Sequence, residues 1–298
     1  MLVSIVIRTL NEEKYLNKIF AAINSQTTNG QFNIETVIID SGSVDATLDI
    51  AKRNNARITS IKKSDFTFGR SLNMGCDFSN GDILVFLSGH CIPVNSRWLL
   101  NMVDKIEESN SDYVYGRQMG RDLTKYSEKK IFDKYFPDNK NHLNDKIFCN
   151  NANSAIKRSA WSMYKFNEEL TGLEDMELAK RLIQNGGKVS YAYNSLVYHI
   201  HDESWAQTKT RYERESFALQ FIMPEVQVSF ADIIRYITTA IISDFRAAAK
   251  DKILFKELLS IIKFRIAQYI GTYKGNKLHK TLSNKRKESY YYPINKNK

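Results

Sequence analysis

No apolar run in the sequence approaches the roughly 20 residues that a membrane-spanning helix requires. Contact with a bilayer, if any, is therefore expected at its surface. Cysteine is scarce: Cys76, Cys91 and Cys149 make an odd count without the spacing of a disulfide framework. No secretory signal precedes Ser4, so the chain reads as a protein of a reducing, cytoplasmic compartment. Neither G-x-G-x-x-G nor G-x-x-x-x-G-K-[ST] occurs, which removes both Gly-rich phosphate loops and weakens a nucleotidyltransferase reading. Internal repeats and low-complexity stretches are also missing.

What is present is a chain of 298 residues, 43% apolar and 12% aromatic, long enough to bury a full core. It carries 43 Lys and Arg against 33 Asp and Glu, a formal charge of +10. Lys274 to Lys298 holds eight of the basic residues and one acid, so seven of the ten net charges sit in that tail. Such a tail suits an anionic membrane surface, and no nucleic-acid partner is expected.

Strand and helix signals alternate through the first half. "LVSIVI", "IETVIID", "RITSI" and "DILVFL" read as strands, the last buried on both faces. Between them, "EEKYLNKIFAAINSQ" places Leu16, Ile19, Phe20 and Ile23 on one helical face. Ser43 reads as N-cap of a short helix through Leu48 and Ala51. A helix over "SRWLLNMVDKIEE" and a strand over "DYVYGRQ" follow, so a mostly parallel sheet covered by helices is expected. Further on, "LEDMELAKRLIQNGG" forms a helix with Met176, Ala179, Leu182 and Ile183 inward, ended by Gly186-Gly187. Beyond Ser204 the chain reads as helical, with Ile233, Ile237, Ile241 and Phe245 in one stripe and a second stretch from Ile253 to Ile270, both mainly packed against protein. After Gly271 a loosely ordered tail is expected.

Four segments carry the chemistry: "SIVIRTLNEEKYL", "VIIDSGSVDAT", "GDILVFLSGHCIPVN" and "GLEDMELAKRL". In this order and spacing they resemble the family 2 inverting glycosyltransferases of the GT-A fold, over roughly Val3 to Arg214. Within that family, rhamnosyltransferase-like and capsule or O-antigen enzymes are the nearest in character. The resemblance implies an α/β fold of Rossmann-like type, a mostly parallel sheet flanked by helices with an α-helical C-terminal extension. It divides the chain into a catalytic domain over 1–215, a helical region over 216–273 and a basic tail over 274–298.

The implied activity moves a sugar from a nucleotide-sugar donor to a glycan or lipid-linked glycan with inversion. Asp175, with Glu174 beside it, would be the general base, since close and desolvated carboxylates raise one another's pKa. Thr9, Asn11, Glu12, Asp40 and Asp45 would seat the donor nucleotide, with Arg70, Asn73 and Ser88 completing the donor site. "FCNNANSAI" falls where the family lines the acceptor pocket, which brings in Asn151 and Asn153, while Trp205 and Arg211 are further acceptor or phosphate contacts. The Gln-x-x-Arg-Trp motif of processive relatives is missing from "SWAQTKTRYERE", which points away from a polymerase.

One departure from the family pattern stands out. The buried strand should end on Asp-x-Asp, whose last carboxylate binds a divalent metal, and here Ser88-Gly89-His90 takes its place. His90 would then be the metal ligand, with His199 or His201 as second. Imidazole favours Mn²⁺ over Mg²⁺. Without a metal, Arg70, Arg211 or Arg214 would hold the phosphates. Two other readings compete: a nucleotidyltransferase-like enzyme, and a non-catalytic glycan- or nucleic-acid-binding relative with a vestigial site.

Overall fold

The computed structural model describes residues 1–121, 123–139, 147–278, 282 and 284–293. The tail proposed from Lys274 onward therefore lies partly outside the described residues. The chain divides into two compact units. The first takes residues 1–119, 135–170 and 174–200, and the second 120–134, 171–173 and 201–298.

The first unit begins as the periodicity requires: β1 (Leu2–Thr9), α1 (Glu13–Asn24), β2 (Asn33–Asp40), α2 (Thr47–Arg53), β3 (Arg57–Ser60), α3 (Phe68–Phe78) and β4 (Ile83–Ser88). It continues with β5 (Cys91–Pro93), α4 (Trp98–Glu108) and β6 (Tyr113–Gly120). After α5 (Tyr126–Tyr135), most of which belongs to the second unit, come β7 (Asn153–Lys157), α6 (Arg158–Tyr164), α7 (Glu174–Gln184) and β8 (Val189–His199).

These strands form one sheet in the order β3-β2-β1-β4-β7-β6-β8-β5. Strands β1 to β4 are parallel, as βαβ alternation demands, with Thr9 opposite Asp40 and Arg8 opposite Ser88. Beyond β4 the pairing changes: β7 runs antiparallel to both β4 and β6, and β5 antiparallel to β8. Ile83 to Leu87 are buried, as an apolar run with helices on both faces must be. Leu16, Ile19, Phe20 and Ile23 of α1 and Trp98, Leu99, Met102 and Val103 of α4 pack into the same core. On α7 the buried apolar residues are Leu178, Ala179 and Leu182, while Met176 and Ile183 are half-buried at the edges of the stripe.

The second unit comprises α5, α8 (Trp205–Ile222), α9 (Phe230–Lys250), α10 (Leu254–Asn276) and α11 (Asn284–Tyr291). Ser204 starts α8 with a capping box to Gln207, and Ser229 starts α9 with one to Asp232. The two expectations for this region change. Gly271 does not end the helix: a Cβ there would lie 2.3 Å from the Lys209 carbonyl oxygen, and one on Gly275 2.1 Å from that of Glu213. The two glycines let α10 lie directly on the backbone of α8, which is why the helix runs on to Asn276. Nor is the second apolar stretch mainly inward, since Phe255, Leu259, Ile266 and Ile270 are exposed. No helix among the described residues is long and apolar enough to cross a membrane.

Candidate active site

The C-terminal ends of β1, β2 and β4 lie side by side, where open parallel sheets place their ligands. Thr9 donates to Asp40 Oδ1 at 3.0 Å. Asp40 also accepts the Ser43 hydroxyl on Oδ1 and the Gly42 and Ser43 N–H groups on Oδ2 at 2.9 and 2.8 Å. A buried carboxylate so used fixes the loop that leaves β2. This is the work Ser43 does: it turns back to Asp40 and accepts the Asn11 N–H, while α2 starts four residues later behind Ala46. Asn11 sits at φ +57 and accepts the Val44 N–H.

Asp45 accepts the N–H groups of Thr47 and Glu13. Burial pushes its carboxyl up, but hydrogen bonds from the Thr47 hydroxyl and these amides outweigh that and leave it below the usual range. The ends of β1 and β2 are thus laced into one rim carrying Thr9, Asn11, Glu12, Asp40 and Asp45.

Glu12 reaches across this rim to His90, Oε1 to Nδ1 at 3.3 Å. Gly89 makes the approach possible, because a Cβ there would stand 2.7 Å from the Glu12 side chain and 3.1 Å from the Arg8 carbonyl oxygen. His90 lies beside His199, with ring centroids 5.1 Å apart. The neighbouring strands account for this, since Cys91 of β5 pairs with His199 of β8 and the Ile200 N–H closes on the His90 carbonyl.

The tautomer of His199 follows from its hydrogen bonds. The Ala152 N–H donates to Asn150 Oδ1, so that atom is an oxygen and the Gln118 Nε2 facing it at 3.0 Å is the amide nitrogen. Gln118 Oε1 then accepts from His199 Nδ1 at 2.7 Å. A neutral His199 consequently carries its lone pair on Nε2. Two neighbouring imidazoles, each with Nδ1 against an oxygen, form a donor set suited to a Mn²⁺-like ion.

His201 does not share this strand. Strand β8 ends at His199. His201 belongs to the second unit, where its Nδ1 meets Glu128 Oε1 at 2.6 Å. Arg211 pairs there with both Glu128 and Glu203. Burial would raise Glu128, yet Arg211 and His201 hold it at about 2. Trp205 opens α8 in the same unit, with the Lys125 ammonium 4.9 Å from its ring centre.

Glu174 and Asp175 form the first turn of α7, both buried. Asp175 Oδ2 accepts the Asn151 N–H and Oδ1 the Met176 N–H, each at 2.8 Å. Burial, then the neighbouring Glu174 carboxylate, drives Asp175 up to about 7, against the opposing pull of those two amides and Arg8. Arg8 lies 3.5 Å from Glu174. Asn151 accepts from Tyr113 and Ser154, and its buried Nδ2 has no partner among the described residues.

Three expected residues are engaged by other groups of the first unit. Asn73 uses both ends of its amide on Phe166, Trp161 and Glu168, and Arg70 pairs with Glu168 at 2.8 Å. Asn153 is enclosed, accepting from Trp98 and donating to the Arg117 and Ser195 carbonyls. Two unforeseen residues enter instead, Gln118 and Arg8. The lone cation in the apolar strand "SIVIRT" was a signal for Arg8, whereas nothing local marks Gln118.

A sheet whose parallel half ends on the buried Asp40, with a buried acidic pair at a helix start, fits a nucleotide-sugar transferase. The chain belongs to glycosyl transferase family 2, whose family model matches residues 4–163. Among curated relatives, it is 28% identical over 226 residues to the O-antigen chain rhamnosyltransferase RfbN of Salmonella typhimurium, covering 71% of this chain and 70% of that protein. It is 30% identical over 209 residues to the O-antigen chain rhamnosyltransferase WbaN of Salmonella anatum, covering 66% and 65%. Among solved structures, the mannosyltransferase PcManGT of Pyrobaculum calidifontis, in complex with GDP-Man and Mn²⁺, shares the fold. Its TM-score is 0.62 at 15% identity, over 91% of this chain and 84% of that one. S. aureus TarS 1–349 with UDP-GlcNAc gives 0.54 at 16% identity, over 98% and 92%. The chain is thus a glycosyltransferase with the GT-A fold.

Proposed function

We propose that this glycosyltransferase builds a bacterial surface polysaccharide of O-antigen or capsule type, adding one sugar per encounter to a lipid-linked glycan on the cytoplasmic face of the membrane. The observation that carries the mechanism is Asp175, buried at the start of α7 with its carboxyl raised to about 7. A base near the operating pH is both deprotonated often enough and basic enough to take a proton. Asp175 accepts the proton of the acceptor hydroxyl as that oxygen bonds to the anomeric carbon and the nucleoside diphosphate leaves from the opposite face, which inverts the configuration. Glu174 keeps Asp175 basic, and Arg8 beside Glu174 limits the rise.

The rim of Thr9, Asn11, Glu12, Asp40 and Asp45, with Ser88, seats the nucleotide. The orphaned Nδ2 of Asn151, one residue from the amide that holds Asp175, offers a donor to a sugar hydroxyl. His90 and His199 would hold a divalent ion, Mn²⁺ in preference to Mg²⁺, and bound there it would offset charge on the departing diphosphate. Glu12 and Gln118 orient those two rings. The basic residues of Lys274–Lys298 draw the protein to anionic lipid.

The test is a panel of nucleotide sugars followed by release of nucleoside diphosphate, with Mn²⁺, with Mg²⁺ and with chelator, and NMR of the product's anomeric centre. Inverted product formed fastest with Mn²⁺ is expected. Retained configuration would contradict the mechanism, and full activity in chelator would remove the ion.

A further inference from the structure

The exposed stripe of α10 has no role in this chemistry. Phe255 is 94% exposed and Leu259 66%, and Ile266 and Ile270 are also open to solvent. Spacings of four, seven and four place all four side chains on one helical face. The opposite face, through Ile261, Phe264, Ala267 and Gly271, is buried. Exposed Lys256, Lys263 and Lys274 accompany the stripe. The one acid of α10, Glu257, projects about 200° around the helix from Phe255, so the outward face is apolar and basic without an acidic residue. The Phe230–Tyr273 and Tyr236–Tyr269 ring contacts set α9 antiparallel to α10.

We propose that this outward face of α10 docks the protein on an anionic lipid bilayer. The proposal rests on the reading of a lipid-linked acceptor and replaces attachment by the tail alone. Phe255 and Leu259 enter the boundary between headgroups and acyl chains, while the lysine stems lie along it and their ammonium groups meet lipid phosphates. A fully solvated Phe beside a solvated Leu is unfavourable unless something covers them. A second copy fits poorly, because a two-fold contact on this face would press lysine rows against one another.

Flotation of the full chain with vesicles of equal parts phosphatidylglycerol and phosphatidylcholine, and of phosphatidylcholine alone, tests this. The wild type is expected to float with the mixed vesicles at low salt and to be released by high salt. Phe255→Glu/Leu259→Glu is expected to lose about tenfold or more of the partitioning. Its melting temperature and nucleotide-sugar binding should be unchanged, since both positions face solvent. If the double variant floats as well as wild type, the stripe is not the docking face and the tail alone remains. If the wild type does not float, membrane attachment itself is wrong. Equal flotation with phosphatidylcholine alone would refute the anionic requirement. Wild-type dimers in sedimentation that the double variant abolishes would assign the face to self-association.

Discussion

Asp175→Asn is expected to make the protein more stable while it removes the base. A carboxyl with a pKa of about 7 in the native state and about 3.9 unfolded binds its proton more tightly when folded. Stability therefore falls as pH rises between those values. At about 1.36 kcal/mol per pKa unit, the wild type forfeits at most about 4 kcal/mol at pH 8 and about 1–2 kcal/mol at pH 5. Asn carries no charge at either pH. It keeps one acceptor oxygen, however, so one of the two amides now held by Asp175, that of Asn151 or Met176, loses its partner. That loss costs about 1–3 kcal/mol and does not depend on pH.

The variant should thus exceed wild type by about 1–3 kcal/mol at pH 8 and draw level or fall below it at pH 5, a swing of about 2–3 kcal/mol. At about 2–4 °C per kcal/mol, the difference in melting temperature between the two proteins should change by about 5–10 °C over this range. Thermal unfolding of both from pH 5 to pH 8 measures it directly. Parallel curves would mean that Asp175 titrates as an ordinary carboxyl and that its burial beside Glu174 does not perturb it.

The rate of transfer should rise with pH through an apparent pKa near 7 as Asp175 loses its proton, and Arg8→Gln should move this limb to higher pH by removing an opposing positive charge; an unmoved limb would separate Arg8 from the base. His90→Ala should weaken donor binding and abolish any stimulation by Mn²⁺ in titrations of activity, and an unchanged Mn²⁺ response would place the ion elsewhere. Gln118→Met should release His199 from the Nδ1–H tautomer, seen as a change in its ¹⁵N shifts, and should weaken Mn²⁺ binding about 10- to 100-fold, as loss of an orienting partner typically does; Gln118→Glu should retain the tautomer.

Much of this was legible because it is periodic or local. The strand runs and the Leu16, Ile19, Phe20 and Ile23 stripe led to the parallel half of the sheet, and the "GLED" segment proved to be a helix start with both acids buried. What could not be read depends on residues far apart in sequence. The antiparallel pairing of β7 with β4 joins segments 70 residues apart, and no local pattern specifies it. Gln118 reaches His199 across 81 residues. Asn73 and Arg70 both meet Glu168, 95 and 98 residues away, a partner that no local pattern announces. Gly271 and Gly275 resemble helix breakers, yet they mark where two helices touch backbone to backbone.

The most direct measurement of the central claim is single-turnover transfer by Asp175→Asn, with saturating nucleotide sugar and acceptor, beside calorimetric binding of the donor to the same protein. Removal of a general base should lower the transfer rate by about 10²- to 10⁴-fold, with donor affinity within a factor of about 2 of wild type, because the rim at β1 and β2 is untouched. Transfer at the wild-type rate would show that another group takes the proton, and the assignment of Asp175 would fall.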